Sequence, residues 1–308
     1  MKLLFKILLG IGIFLGLQQC IERVTRGFCL QKILCSDLPF LPQFESALPS
    51  SSIEPLLEQE YTFLGAGSEC FAFLSQDGTT VIKFFKLDFA RPVYFRRGLI
   101  AENYASFAGT LSAHPLTQSE NLWIKRLLGI REFRIQRTFS SLKLAFDALQ
   151  EETGMLYLHL NPTNHLQKKL TLKDACGVAH VVDLDSTRFF LQKKAVPIEK
   201  GLATYLHQGQ KAEARACIDS LVQMILSRCR KGFSDRDILD RNFGFIGTQA
   251  IEIDSGSFIP NEKMQDPAQY KQELFFATLE LKEWLQEIAP EMALYLEEKI
   301  TEEISRNA

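Results

Sequence analysis

The stretch SDRDILDRNFG (residues 234–244) runs into FIGTQAIEIDSG (residues 245–256), and the reading of these two segments decides the fold. FGFIG (243–247) and AIEID (250–254) are short apolar runs on either side of Thr248, which predicts a β-hairpin. Asn242 stands just before the first run and Asp254 ends the second, so the hairpin closes them together. Asp237 lies upstream, in the loop that approaches Asn242. Acids and amides at such places are also ordinary turn residues. Two oxygen ligands nevertheless suit Mg²⁺, which binds few carboxylates and completes its shell with phosphate and water. The remaining carboxylate, Asp237, is then placed to receive a proton from an attacking hydroxyl.

Working outward, residues 61–86 read YTFLGAGSECFAFLSQDGTTVIKFFK. CFAFLS and TTVIKFF are β-rich runs separated by Gln76-Asp77-Gly78, a hairpin signal. Ahead of them Gly65 and Gly67 fall where the first strand turns into the second. Glycine there is the ordinary mark of a tight turn, and it also lets backbone N–H groups approach a phosphate closely. Lys83 is the charge that interrupts the apolar run TTVIKFF, on the same strand face as Val81. A lysine in such a strand is costly unless paired, so an anion and a carboxylate partner are expected beside it.

Taken together these residues resemble the protein kinase-like superfamily, with order and spacing agreeing over about residues 61–258. The glycine loop is Gly65-Ala66-Gly67-Ser68, and the third-strand motif is Thr80-Val81-Ile82-Lys83. The catalytic loop runs from Asp235-Arg236-Asp237 to Asn242, and Asp254-Ser255-Gly256 stands for the metal-binding Asp-Phe-Gly. The resemblance implies a bilobal α+β fold, with a small antiparallel N-terminal sheet and a mainly helical C-terminal lobe of reduced size. It implies that Gly65, Ala66, Gly67, Ser68 and Lys83 bind ATP, with Lys83 on the α- and β-phosphates. Asp237 would be the base, and Asn242 and Asp254 would hold Mg²⁺. The sequence also departs from the pattern. Cys70 replaces the third loop glycine, Asp235 replaces the His that opens the catalytic loop, and Ser255 replaces Phe.

A kinase-like site also needs a glutamate to pair with Lys83. FSSLKLAFDALQEETGMLYLHL (139–160) reads as a helix whose inward stripe is Leu142, Ala145, Leu149, Glu152 and Leu156. An acid in an apolar stripe calls for a cation, so Glu152 is the expected partner, with Glu151 and Glu102 as alternatives. That choice makes residues 87–135 a helical insertion. It carries RRGLIAENYASFAG (96–109), read as a helix, and the basic amphipathic stretch WIKRLLGIREFRIQR (123–137), suited to an anionic surface or an acidic partner. KKLTLKD, AHVVDLD and TRFFLQKKA add strands; by the resemblance FLQKKAVPI would be the hinge of the nucleotide site and KAEARACIDSLVQMILSRCRKG the long helix before the catalytic loop.

The whole chain has 308 residues, 46% hydrophobic and 23% charged, with a formal charge of −2, which gives no reason to expect nucleic acid as a partner. Its seven cysteines form no C-x-x-C pair, so the soft ligand set of a structural zinc site is missing. The N-terminus, MKLLFKILLGIGIFLGLQQC, places Lys2 and Lys6 around the start of an apolar run from Ile7 to Leu17. Residues 1–20 are therefore expected to be a signal or membrane-anchor segment, and the protein to be membrane-associated or exported. Residues 21–55, rich in Pro and Ser towards their end, read as a linker. Residues 56–308 read as the kinase-like domain, its N-lobe about 56–196 and its C-lobe about 197–308. The expected activity is ATP- and Mg²⁺-dependent transfer of the γ-phosphate to a hydroxyl of a protein or small molecule. The alternatives are a nucleotide-binding pseudokinase or scaffold, and nucleotidyl transfer on the same fold.

Overall fold

A computed structural model of the chain describes residues 10, 12, 13, 16, 19–35, 40–45, 48–86, 118–237 and 240–307. Three strands come first: β1 (Tyr61–Ala66), β2 (Cys70–Ser75) and β3 (Thr80–Phe85). Helix α1 (Gln118–Ala148) and the single turn α2 (Gln150–Thr153) follow, then β4 (Met155–His159), β5 (Lys169–Lys173), β6 (Ala179–Asp183), β7 (Phe189–Lys193) and the short β8 (Val196–Pro197). Helices α3 (Ile198–His207) and α4 (Lys211–Arg230) lead to β9 (Phe233–Asp235), the pair β10 (Phe243–Ile246) and β11 (Gln249–Glu252), and β12 (Phe258–Pro260). Helices α5 (Pro267–Ile288) and α6 (Pro290–Asn307) close the chain. The architecture is mixed α+β, with a largely antiparallel sheet and a mainly helical C-terminal part, as the kinase-like resemblance implied.

The chain divides into two compact units, one from Met1–Ile135 with His159–Phe190 and one from Gln136–Leu158 with Leu191–Ala308. In the first unit the strand order is β7-β3-β2-β1-β5-β6, with Phe189 and Phe190 opening β7. β1, β2 and β3 form an antiparallel meander, β5 joins β1 in parallel, and β6 pairs back on β5. The β2–β3 turn is built as its sequence predicts: Gly78 has φ +74°, and Asp77 accepts hydrogen bonds from Ser75 Oγ (2.7 Å) and Thr79 N (2.9 Å). Residues of the stretch 21–55 contribute to this unit. Phe28 is buried edge-on against Phe71 and Phe73, with ring centroids 5.2 and 5.1 Å away, and Ile33, Cys35 and Phe44 are buried too.

The second unit has its core around α4, whose buried Ile218, Leu221, Val222, Ile225 and Cys229 repeat at helical spacing. Leu274, Ala277, Leu281 and Leu285 of α5 belong to the same cluster, as do Met292 and Leu296 of α6 and Phe243 and Phe245 of β10. β10 pairs with β11 in the register Phe243↔Glu252 to Ile246↔Gln249, and with β8 on its other side. Gly244 makes that second pairing possible, because a Cβ there would lie 2.8 Å from the Val196 carbonyl oxygen. β9 pairs with β12 through Asp235↔Phe258.

Three expectations are changed. The helix read over 139–160 ends at Thr153, and Met155–His159 is strand β4, because Gly154 adopts φ +63° and caps the helix in the left-handed conformation. The basic stretch at 123–137 and the helix after it are one continuous helix, α1. Glu102 and RRGLIAENYASFAG lie outside the described residues. The membrane-associated or exported localisation is corrected: among the described residues no helix is long and apolar enough to cross a membrane. The physical reason is length, since the apolar run from Ile7 gives way to Gln18, Gln19, Glu22 and Arg23, while a span takes about 20 apolar residues.

Candidate functional site

The β10–β11 hairpin forms as its sequence predicts and brings Asn242 beside the chain entering Asp254. Past the last ladder pair, Ile253 N donates to Asn242 O at 2.6 Å. Asn242 is buried, and its Nδ2 donates to Asp237 O at 2.7 Å, which turns the amide oxygen away from that carbonyl. Asp254 is exposed, and its Oδ1 accepts the Gly256 N–H at 3.2 Å. Asp237 is exposed as well, and its own N–H donates to Asp235 Oδ1 at 3.0 Å. Asp237, Asn242 and Asp254 therefore belong to one hydrogen-bonded assembly of the second unit.

The assembly has supports that the sequence did not announce. Asp235 Oδ1 also accepts the Ser257 hydroxyl. Ser141 of α1 is buried and donates to Ser255 O (2.6 Å) while accepting the Phe258 N–H (2.7 Å). Near Asp235 lies a buried charge cluster. Arg228 of α4 pairs with Glu252 of β11 and, at 3.4 Å, with Glu273 of α5. Burial works against the Arg228 charge, yet the two carboxylates raise its pKa. Burial pushes the Glu252 carboxyl well up, Arg228 pulls against the rise, and Asp235 adds to it. Glu273 is raised by burial in the same way, again opposed by Arg228. Ser141 and Ser257 look like ordinary helix and loop serines in sequence. Glu252 carried a weak signal, as the charge inside the apolar run AIEID, whereas Arg228 stands among Ser227, Arg230 and Lys231 without any.

Glu152, the expected partner of Lys83, is buried and engaged within the second unit. It accepts from Ser227 Oγ at 2.5 Å and pairs with Lys231 at 2.7 Å. Glu151 is exposed. Lys83 lies in the first unit, beside Ala72 across the β2–β3 ladder, with its ammonium 5.3 Å from the centroid of the Phe190 ring. Gly65 and Ala66 end β1, opposite Ala72 and Phe71, with a register break between Phe63 and Gly65. Gly67 and Ser68 form the exposed turn, closed by Gly67 N donating to Cys70 O at 2.9 Å. Lys86, which no sequence motif marks, steadies this turn: its Nζ donates to Gly67 O at 2.5 Å and lies 4.7 Å from the Phe71 ring centroid.

The donor set at Asn242 and Asp254, an amide oxygen and a carboxylate, is hard and fits Mg²⁺, with most of the ion's shell left to phosphate and water. Among the described residues no group of three or more His, Cys, Asp and Glu side chains could hold a metal ion by itself.

No protein-family model matches the chain, and no curated protein matches it in sequence. Among solved structures it is similar to WbdD in a crystal structure at 2.2 Å, at 12% identity over 80% of this chain and 46% of that one, with a TM-score of 0.36. It is similar to the bifunctional kinase-methyltransferase WbdD at 13% identity over 80% and 47%, TM-score 0.34. It is also similar to WaaP in complex with acyl carrier protein, at 10% identity over 84% and 99%, TM-score 0.31. The chain spans about half the length of the WbdD structures it matches. At this level of likeness any activity rests on the chain's own residues.

Proposed function

We propose that the protein is an ATP- and Mg²⁺-dependent phosphotransferase that moves the γ-phosphate of ATP to a hydroxyl. The observation that carries this reading is the assembly of Asp237, Asn242 and Asp254. Asn242 precedes one strand of the hairpin and Asp254 follows the other, with Ile253 N donating to Asn242 O, and the Asn242 side chain holds the Asp237 backbone through its carbonyl. In this reading Asn242 Oδ1 and the Asp254 carboxylate hold the cation. When bound, Mg²⁺ neutralises the charge of the phosphates and orients them. The Asp237 carboxylate accepts the proton of the acceptor hydroxyl as its oxygen bonds to the γ-phosphorus. The bond from that phosphorus to the β–γ bridging oxygen breaks, and ADP leaves. Within the first unit, Lys83 and the N–H groups of the Gly65–Ser68 turn are the groups suited to phosphate, and Lys86 fixes that turn through the Gly67 carbonyl. Glu152 is not given a role toward Lys83, because Ser227 and Lys231 already satisfy its carboxylate.

The test is the product formed when the full chain is incubated with ATP and Mg²⁺. Phosphoryl transfer, to the chain itself or to water, yields ADP. Nucleotidyl transfer yields pyrophosphate and an acceptor heavier by a nucleotide. The reading predicts ADP, formed about 10²–10⁴-fold more slowly by Asp237→Asn. Pyrophosphate, or ADP formation indifferent to Asp237→Asn, would contradict it.

A further inference from the structure

The five residues from Asp254 to Phe258 form a turn that does not close on itself. In a self-closed turn the Phe258 N–H would bond the Ser255 carbonyl three residues back. Here the Ser141 hydroxyl stands between the two, donating to Ser255 O at 2.6 Å and accepting from Phe258 N at 2.7 Å. That hydroxyl is buried and comes from α1, an element remote in sequence. On the opposite flank one oxygen, Asp235 Oδ1, accepts both the Ser257 hydroxyl and the Asp237 N–H. The turn carrying Asp254 and the loop carrying Asp237 are thus fastened to the same atom. The Asp254 carboxylate takes its orientation from within this turn, through the Gly256 N–H.

We propose that Ser141 and Asp235 are positioning residues that set the Asp254 carboxylate for a divalent cation, an inference that rests on the phosphotransferase reading above. Neither is given contact with the cation. Ser141 fixes the two ends of the turn, and Asp235 fixes its middle in register with the loop of Asp237. Loss of either hold lets the turn relax, swings the Asp254 carboxylate and weakens the cation. Residues that orient a ligand from behind act on affinity in this way without touching the metal.

The test uses the full chain with Mn²⁺ as a spectroscopic probe in the presence of ATP, in wild type, Ser141→Ala, Ser257→Ala and Ser257→Thr. Amide hydrogen exchange at Phe258 is followed in parallel. Ser257 is partly exposed, so its replacement keeps the question answerable should Ser141→Ala fail to fold. The expected result is Mn²⁺ binding weakened about tenfold to a hundredfold in both alanine variants. Metal-free ATP binding is unchanged, Phe258 exchange is faster in Ser141→Ala, and binding is recovered in Ser257→Thr. Folded alanine variants that bind Mn²⁺ as wild type does would overturn the proposal, whatever their exchange rates, because the holds would then serve stability alone. A wild type that binds ATP but takes up no Mn²⁺ with it is a separate result: it removes the phosphotransferase reading, and the positioning role falls with it.

Discussion

Arg228 exposes none of its side chain, and Glu252 and Glu273 hold it there. Replacing it with Met would leave two buried carboxylates without a counter-charge, one of them next to Asp235. Removing one partner from such a cluster costs about 3–5 kcal/mol. Arg228→Met is therefore expected to lose that much stability in denaturant unfolding, and a loss near zero would contradict the pairing. His159 gives a second residue-scale prediction. Burial lowers its pKa from 6.5 to about 4, although the Thr187 carbonyl and Asp185 work the other way. A buried imidazole kept neutral disfavours protonation of the folded state. As pH falls below 6.5 the unfolded chain takes up the proton first, so stability drops until the folded protein also protonates near pH 4. The full effect is on the order of 3 kcal/mol. His159→Gln should flatten the dependence of the unfolding midpoint on pH across this window, and an unchanged slope would count against the assignment. Neither residue declares its role in the sequence, because burial and the choice of partner are tertiary facts.

At the scale of elements, the hairpins were legible because their signals are local. Gln76-Asp77-Gly78 and Thr248 each stand between apolar runs, and strands form on either side of both. The error at Met155–His159 has a local cause as well. The apolar residues after Gly154 continue the rhythm of the preceding helix, and only the glycine marks the change to strand. Its φ of +63° suits glycine, and a Cβ at that position would lie 3.0 Å from Ile251 Cδ1 and 3.3 Å from Lys193 Cβ. Gly154→Ala is expected to destabilise the protein by about 1–3 kcal/mol through backbone strain and crowding. A thermal midpoint equal to that of wild type would show the helix end to be tolerant. The turn after Asp254 lies at the other extreme. Its supports, Ser141 and Asp235, are far apart in sequence and bear no pattern that spacing could reveal.

For the whole molecule, the α+β class could be read, because its hairpins and helices rest on local signals. Less legible was residues 21–55, where Pro and Ser dominate the composition while Phe28, Ile33, Cys35 and Phe44 are buried. A few large side chains can fasten a segment that composition describes as a linker. The site divides in the same way. Asn242 and Asp254 flank a hairpin visible in sequence, whereas Glu152 found partners, Ser227 and Lys231, that only the folded second unit brings to it. The proposed phosphotransfer requires ATP to bind through a divalent cation held at Asn242 and Asp254. Its most direct test is calorimetric titration of ATP, with and without Mg²⁺, into the full chain and into Asp254→Ala. The account predicts binding to wild type that strengthens with Mg²⁺ and a Mg²⁺ effect that is lost in Asp254→Ala. A well-folded wild type whose ATP binding is absent, or is indifferent to Mg²⁺, would contradict it.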